Sequence, residues 1–176
     1  MGGIDKPLVS YRGRGMVEHI LDSVPSITKH ISANRNIETY ADLGAVFSDQ
    51  EVRQEERLSA DCQGPLLGIL GGLRRCNSDW LLVSPGDTPE LGDDWFMPLL
   101  EGGDDELARV IFDGEQQQHL HAFLHKSLAD GLKSYLQTGA FQVWRWLEQI
   151  NAQPKQALRG SEFVNINSLE AMPRSD

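Results

Sequence analysis

Trp80, Leu81, Leu82 and Val83 form an unbroken apolar run, and Ser84-Pro85-Gly86-Asp87 follows at once. Such a run predicts a strand buried on both faces, which requires covering layers above and below its sheet. Proline and glycine then stop the strand and deliver Asp87 just past its carboxyl end. In open α/β sheets ligands bind beyond the carboxyl ends of strands, so Asp87 stands where chemistry is usually done. An aspartate there suits a magnesium ion that bridges nucleotide phosphates, because magnesium takes hard oxygen ligands and often only one or two carboxylates. It equally suits a helix cap or a closed turn, the commoner use of aspartate.

Around this run, β-prone stretches alternate with stretches of helical period, the pattern of βαβ units and a mainly parallel sheet. Strands are expected at Ser26 to Ser32, Ala45 to Ser48, Trp80 to Ser84 and Leu107 to Phe112, with a later pair at His119 to His125 and Glu162 to Ile166. Helices are expected at Met16 to Val24, Pro65 to Cys76, Asp93 to Leu100, Leu128 to Thr138 and Phe141 to Ile150. Asp113-Gly114 is a turn signal, so Leu107 to His125 reads as an antiparallel hairpin added to the parallel strands. Gln50 to Ala60 is polar and acid-rich and reads as a mobile loop.

The chain has 176 residues, enough for one domain with a real core, and its formal net charge is −10. That charge, with a pI near 4.9, argues against the basic surface that drives binding to nucleic acid or anionic membrane. Any phosphate ligand must then be met locally, by a few lysines, backbone N–H groups or a metal ion. Cys62 and Cys76 lack zinc-site spacing, and no apolar run is long enough for a signal peptide or membrane span, so the reading is cytoplasmic and reduced.

Other candidates each have a plain structural explanation. Asp49 ends the apolar Ala45 to Phe47 and could share a metal or nucleotide site with Asp87, or simply lead a turn. Ser32-Ala33-Asn34-Arg35-Asn36 could read a base or ribose, or form an ordinary turn. Gly68, Gly71 and Gly72 cost helix stability in "GPLLGILGGL" and point to close packing, while Arg74 and Arg75 fit the dipole at the helix end. His119, His121 and His125 lack a completing acid or cysteine and read as surface or rim residues.

Taken in order, "MGGIDK", "SANRN", "VFSD", "GPLLGILGGL", "WLLVSPGDTP", "DGEQQQH" and "FVNINSLEAM" resemble the molybdenum cofactor guanylyltransferases along essentially the whole chain. The resemblance implies an α/β, Rossmann-like nucleotidyltransferase three-layer sandwich, with a mostly parallel mixed sheet and an antiparallel hairpin. It implies transfer of GMP from GTP to molybdopterin, with release of pyrophosphate and Mg²⁺ as cofactor. Other cofactor-biosynthesis proteins or apo-molybdoenzymes are the implied partners. By motif, Gly2 and Gly3 belong to the phosphate loop, and Lys6 contacts phosphate. Ser32 to Asn34 meets guanine or ribose, Asp49 binds nucleotide, Asp87 binds the metal, and Asn165 and Asn167 lie near molybdopterin.

Relatives carry a first strand and a Leu-Ala-Gly-Gly loop before "MGG", and the chain as written begins at that point. Residues 1–176 are therefore expected to be a single domain incomplete at its N-terminus, with a weak hold on the triphosphate and an exposed sheet edge. Two alternatives stand beside guanylyl transfer. One is a nucleotidyltransferase using CTP or another small phosphate, against which the late "NIN" argues. The other is a non-catalytic binder of molybdopterin or a partner protein that has lost the GTP loop.

Overall fold

The Trp80–Val83 run does form a strand, which among the described residues lies at the edge of its sheet. The computed structural model describes residues 5–24 and 27–164. Three short elements, β1 (Ser10–Tyr11), β2 (Arg14–Gly15) and α1 (Met16–Asp22), lead into the alternating part of the chain. There β3 (His30–Ser32), α2 (Ile37–Ala41), β4 (Ala45–Phe47), α3 (Asp49–Glu56), α4 (Pro65–Arg75) and β5 (Trp80–Val83) follow one another. The chain continues through α5 (Met97–Leu100), β6 (Ala108–Phe112), β7 (Gln117–His125), α6 (Ala129–Gln137), α7 (Val143–Gln149) and β8 (Gln153–Gln156).

β3 and β4 pair in parallel. The larger sheet has the order β5-β7-β6-β8. Because β7 is antiparallel to both β5 and β6, and β8 is parallel to β6, β7 alone runs against the other three. Hairpin and mixed sheet are as the turn signal at Asp113-Gly114 predicts. Among the described residues β5 pairs only with β7, so its four residues are half-buried instead of covered on both faces.

Alternation along β6 sends Val110 to one face and Ile111 to the other. On the first face Val110, Ala122 and Leu124 pack against α4, α6 and α7 through Leu66, Leu70, Leu132, Leu136 and Trp146. On the second, Ile111 packs against Trp95, Phe96, Leu99 and Phe163. Helical layer, sheet and aromatic layer make up the sandwich.

Helix α4 joins the two sheets. Gly68 rests on Ser32 of β3, and Gly72, one turn later, rests on Leu81 of β5. Gly71 between them faces β4 and α3: a Cβ there would fall 2.7 Å from Val52 Cγ2 and closer still to the Phe47 ring. The glycines are a packing requirement, as their cost to the helix implied.

Several expectations are corrected. The segment Gln50 to Ala60 is not a loop but largely α3, because Ser48 and Glu51 form a capping box: the Glu51 N–H donates to Ser48 Oγ at 3.3 Å and the Ser48 N–H to Glu51 Oε2 at 2.6 Å. Val52 is fully buried, and Arg74 and Arg75 serve this helix through Glu56 at 2.7 Å and Glu55 at 2.9 Å, beyond any dipole role. α2 and β8 carry too weak a pattern to be foreseen; β8, with Pro154 in it, is a polar edge strand. The helix expected at Asp93 to Leu100 shrinks to α5. Within Glu162 to Ile166, the described part is the end of a 3₁₀ turn, Gly160–Phe163, not a strand; Arg159 clamps it to Asp94 while Phe163 enters the aromatic layer. No helix of the described residues is long and apolar enough to cross a membrane.

Candidate active site

Asp87 lies in a turn immediately after β5, and no helix follows for it to cap. Its carboxylate Oδ2 accepts a hydrogen bond from Lys6 Nζ at 2.7 Å, both side chains being largely but not fully shielded (19% and 26% exposed). The chain around Lys6 approaches so closely that a Cβ on Gly86 would lie 2.8 Å from Pro7 Cγ. Gly86 is thus small for a reason: it lets the Lys6–Leu8 turn settle on the Asp87 turn. A second clamp follows, in which the Tyr11 hydroxyl bonds Glu90 and Arg12 reaches the same carboxylate at 3.1 Å.

Behind the turn, Thr88 Oγ1 and His121 Nε2 form a hydrogen-bonded pair at 3.2 Å. Both residues are only 2% exposed, which corrects the expectation that His121 is a surface or rim residue. A bulge lies at this point of β7. Opposite the Val110–Ile111 step, the register jumps from Gln118 to Ala122, leaving His119, Leu120 and His121 without partners on β6. Alternation from Ala122, which faces the helices, sends His121 to the face of Ile111 and into the aromatic layer, edge-on to Trp95 at 5.3 Å and Phe163 at 4.9 Å. Burial pushes its pKa down to about 3, against the opposing pull of the Asp87 carboxylate, so the ring is neutral.

The segment after β3 belongs to the same rim. Asn34 and Asp49 hold each other reciprocally, the Asn34 amide donating to Asp49 Oδ2 at 2.9 Å and the Asp49 N–H to Asn34 Oδ1 at 2.9 Å. Asn36 Nδ2 donates to Asp5 Oδ2 at 2.9 Å, and Arg35 lies 3.6 Å from that carboxylate. Burial, followed by the nearby Asp5 charge, raises the Tyr40 phenol well above its ordinary value and keeps it protonated. Asp5 and Lys6 therefore tie the loop after β3 to the loop after β5. Asp49 and Asp87 sit in different clusters of this rim, one with Asn34 and one with Lys6. Ser32 is exposed at the end of β3, with its hydroxyl against Gly68. Gly2, Gly3, Asn165 and Asn167 lie outside the described residues.

The donor set suits magnesium. Among the described residues no group of three or more His, Cys, Asp or Glu side chains converges, so an ion at Asp87 would have at most two such protein ligands there. Magnesium is ordinarily held in that way. Pro7 escaped the sequence reading, and His121 was expected there only as a surface or rim residue. Gly86 beside Asp87 hinted at a close approach, whereas nothing local announced the bulge in β7.

A family profile described as MobA-like NTP transferase domain matches residues 1–155. A protein named molybdenum cofactor guanylyltransferase from Shewanella putrefaciens is 34% identical over 97% of this chain and 86% of its own. A protein of the same name from Shewanella baltica is 33% identical over 99% of this chain and 88% of its own. Among solved structures, molybdopterin-guanine dinucleotide biosynthesis protein A from Archaeoglobus fulgidus superposes with a TM-score of 0.68 at 20% identity, covering 96% of this chain and 87% of that one. A nucleotidyl transferase from Methanothermobacter gives a TM-score of 0.66 at 19% identity, over 95% and 81% of the two chains. These likenesses establish the Rossmann-like nucleotidyltransferase fold.

Proposed function

The chain belongs to the MobA-like NTP transferase family, and we propose that it transfers GMP from GTP to molybdopterin, releasing pyrophosphate and forming the guanine dinucleotide cofactor. The observation that carries this reading is the Lys6 and Asp87 pair at the carboxyl end of β5, in a chain whose relatives are named for guanylyl transfer.

The reaction joins a phosphate oxygen of the pterin to the α-phosphorus of GTP as the bond to pyrophosphate breaks. Both partners are anions, so positioning and charge neutralisation carry the catalysis, and no covalent nucleophile is needed. Lys6 brings its ammonium to the phosphates. Asp87 would hold the magnesium ion, which when bound would supply positive charge against the phosphates. Asn34 and Asp49, fixed by their reciprocal bonds, present a rigid polar edge to guanine or ribose, with Ser32 beside them. Gly2 and Gly3 are assigned to the phosphate loop, and Asn165 and Asn167 to the molybdopterin end, on motif alone.

Incubation of the protein with molybdopterin, Mg²⁺ and either GTP or CTP tests the reading. Dinucleotide formation and pyrophosphate release with GTP are expected. Preference for CTP, or failure to release pyrophosphate in a Mg²⁺-dependent manner, would overturn it.

A further inference from the structure

We propose that His121 is a positioning residue for Asp87, acting through Thr88. This rests on the reading of Asp87 as the metal-binding carboxylate. The turn after β5 is gripped on both sides of Asp87: Gly86 meets Pro7 on one side, and the Thr88 hydroxyl meets His121 on the other. With both neighbours fixed, the direction of the Asp87 carboxylate toward Lys6 and toward a nucleotide's metal is fixed as well.

The histidine is hard to explain as core filling. It stands edge-on to Trp95 and Phe163, where an aromatic hydrocarbon would pack without the cost of desolvating an imidazole. It lies at a bulge of β7, where His119 to His121 have no ladder partners on β6. What the arrangement gains is one buried polar bond, made to the residue next to Asp87 from a strand 33 residues further along. A bond buried this deeply fixes geometry more firmly than an exposed one, because no water competes for either partner.

The test uses Thr88→Val, His121→Phe, the double variant and His121→Gln, whose amide can restore a bond to Thr88. Three quantities are measured: the Mg²⁺ concentration for half-maximal GMP transfer, the KM for GTP, and Mn²⁺ binding in the presence of GTP, read from water-proton relaxation. Each single variant is expected to raise half-saturating metal and weaken Mn²⁺ binding about tenfold, the factor one ordinary hydrogen bond carries, with the KM for GTP little changed. The double variant should be no worse than either single one, and His121→Gln should recover most of the loss. Folded Thr88→Val or His121→Phe protein with unaltered metal response, whatever its melting temperature, would overturn the proposal, as would losses that simply add or a His121→Gln variant no better than His121→Phe. Asp87→Ala separates the two levels. If it leaves Mn²⁺ binding and transfer intact, the metal reading itself fails. If it abolishes both while the Thr88 and His121 variants behave as the parent, only the positioning role fails.

Discussion

Lys6 Nζ lies 2.7 Å from Asp87 Oδ2, across 81 residues of chain. On the proposed reading, the cation that would meet phosphate and the carboxylate that would hold the metal neutralise each other in this pair. The pair keeps both groups at the end of β5 without leaving either charge bare in a partly shielded place. The proposed function requires both side chains to exchange this bond for phosphate and metal.

Asp87→Ala should therefore lower GMP transfer by at least about 10²-fold, the loss usual for one electrostatic group in an active site. Circular dichroism and melting should report a folded protein. Lys6→Ala should lose a comparable factor, and its loss should appear chiefly in transfer at saturating Mg²⁺.

Gly86→Ala should act on the same pair from outside it. The added methyl group would meet Pro7 at 2.8 Å, so the Lys6–Leu8 turn must back away from Asp87. Transfer should fall about tenfold or more, as small misplacements of catalytic groups do. Equal rates for Gly86→Ala and the parent would show that this close approach is not needed for turnover.

Gly71→Ala is a stability prediction. Its methyl group would overlap Phe47 and Val52 between α4, β4 and α3, and overpacking of this kind costs typically about 1–3 kcal/mol. Denaturant unfolding should show at least that loss. At the exposed Gly131, by contrast, nothing lies within 4 Å of an added Cβ, so Gly131→Ala should be tolerated and even gain helix stability.

His121 also predicts a pH dependence. The unfolded ring takes a proton near pH 6.5 and the buried one does not until about pH 3, so the unfolded state binds more protons between those values. Stability contributed by neutral burial is thus intact above 6.5 and is lost as pH falls toward 3; between about pH 6.5 and pH 5 the loss is about 2 kcal/mol. Burial depresses His119 in the same sense. Unfolding free energies measured above and below that window should differ accordingly in the parent and by clearly less in His121→Phe. The same pH slope in both proteins would contradict the assignment.

Ser48→Ala should remove the cap of α3 and cost about 1 kcal/mol. Unfolding would register it, through the helix that the Ser48 and Glu51 box creates.

What the sequence alone determined is local. The apolar run Trp80–Val83 and the Pro85-Gly86 break placed Asp87 at a strand end, Gly64-Pro65 began α4, Asp113-Gly114 made the hairpin, and the Ser48 to Glu51 spacing held a helix start that polarity disguised as a loop. Each of these depends on the conformational preferences of a few adjacent residues. Tertiary structure decided the rest: that β7 enters between β5 and β6, that the aromatic layer buries His121 against Thr88, and that Pro7 on Gly86 brings Lys6 onto Asp87. Strand order and register are set by contacts between residues far apart in the chain. No periodicity in one strand can encode which neighbour it will find, so the groups of the site could be named from the sequence, but the bonds that hold them in place could not.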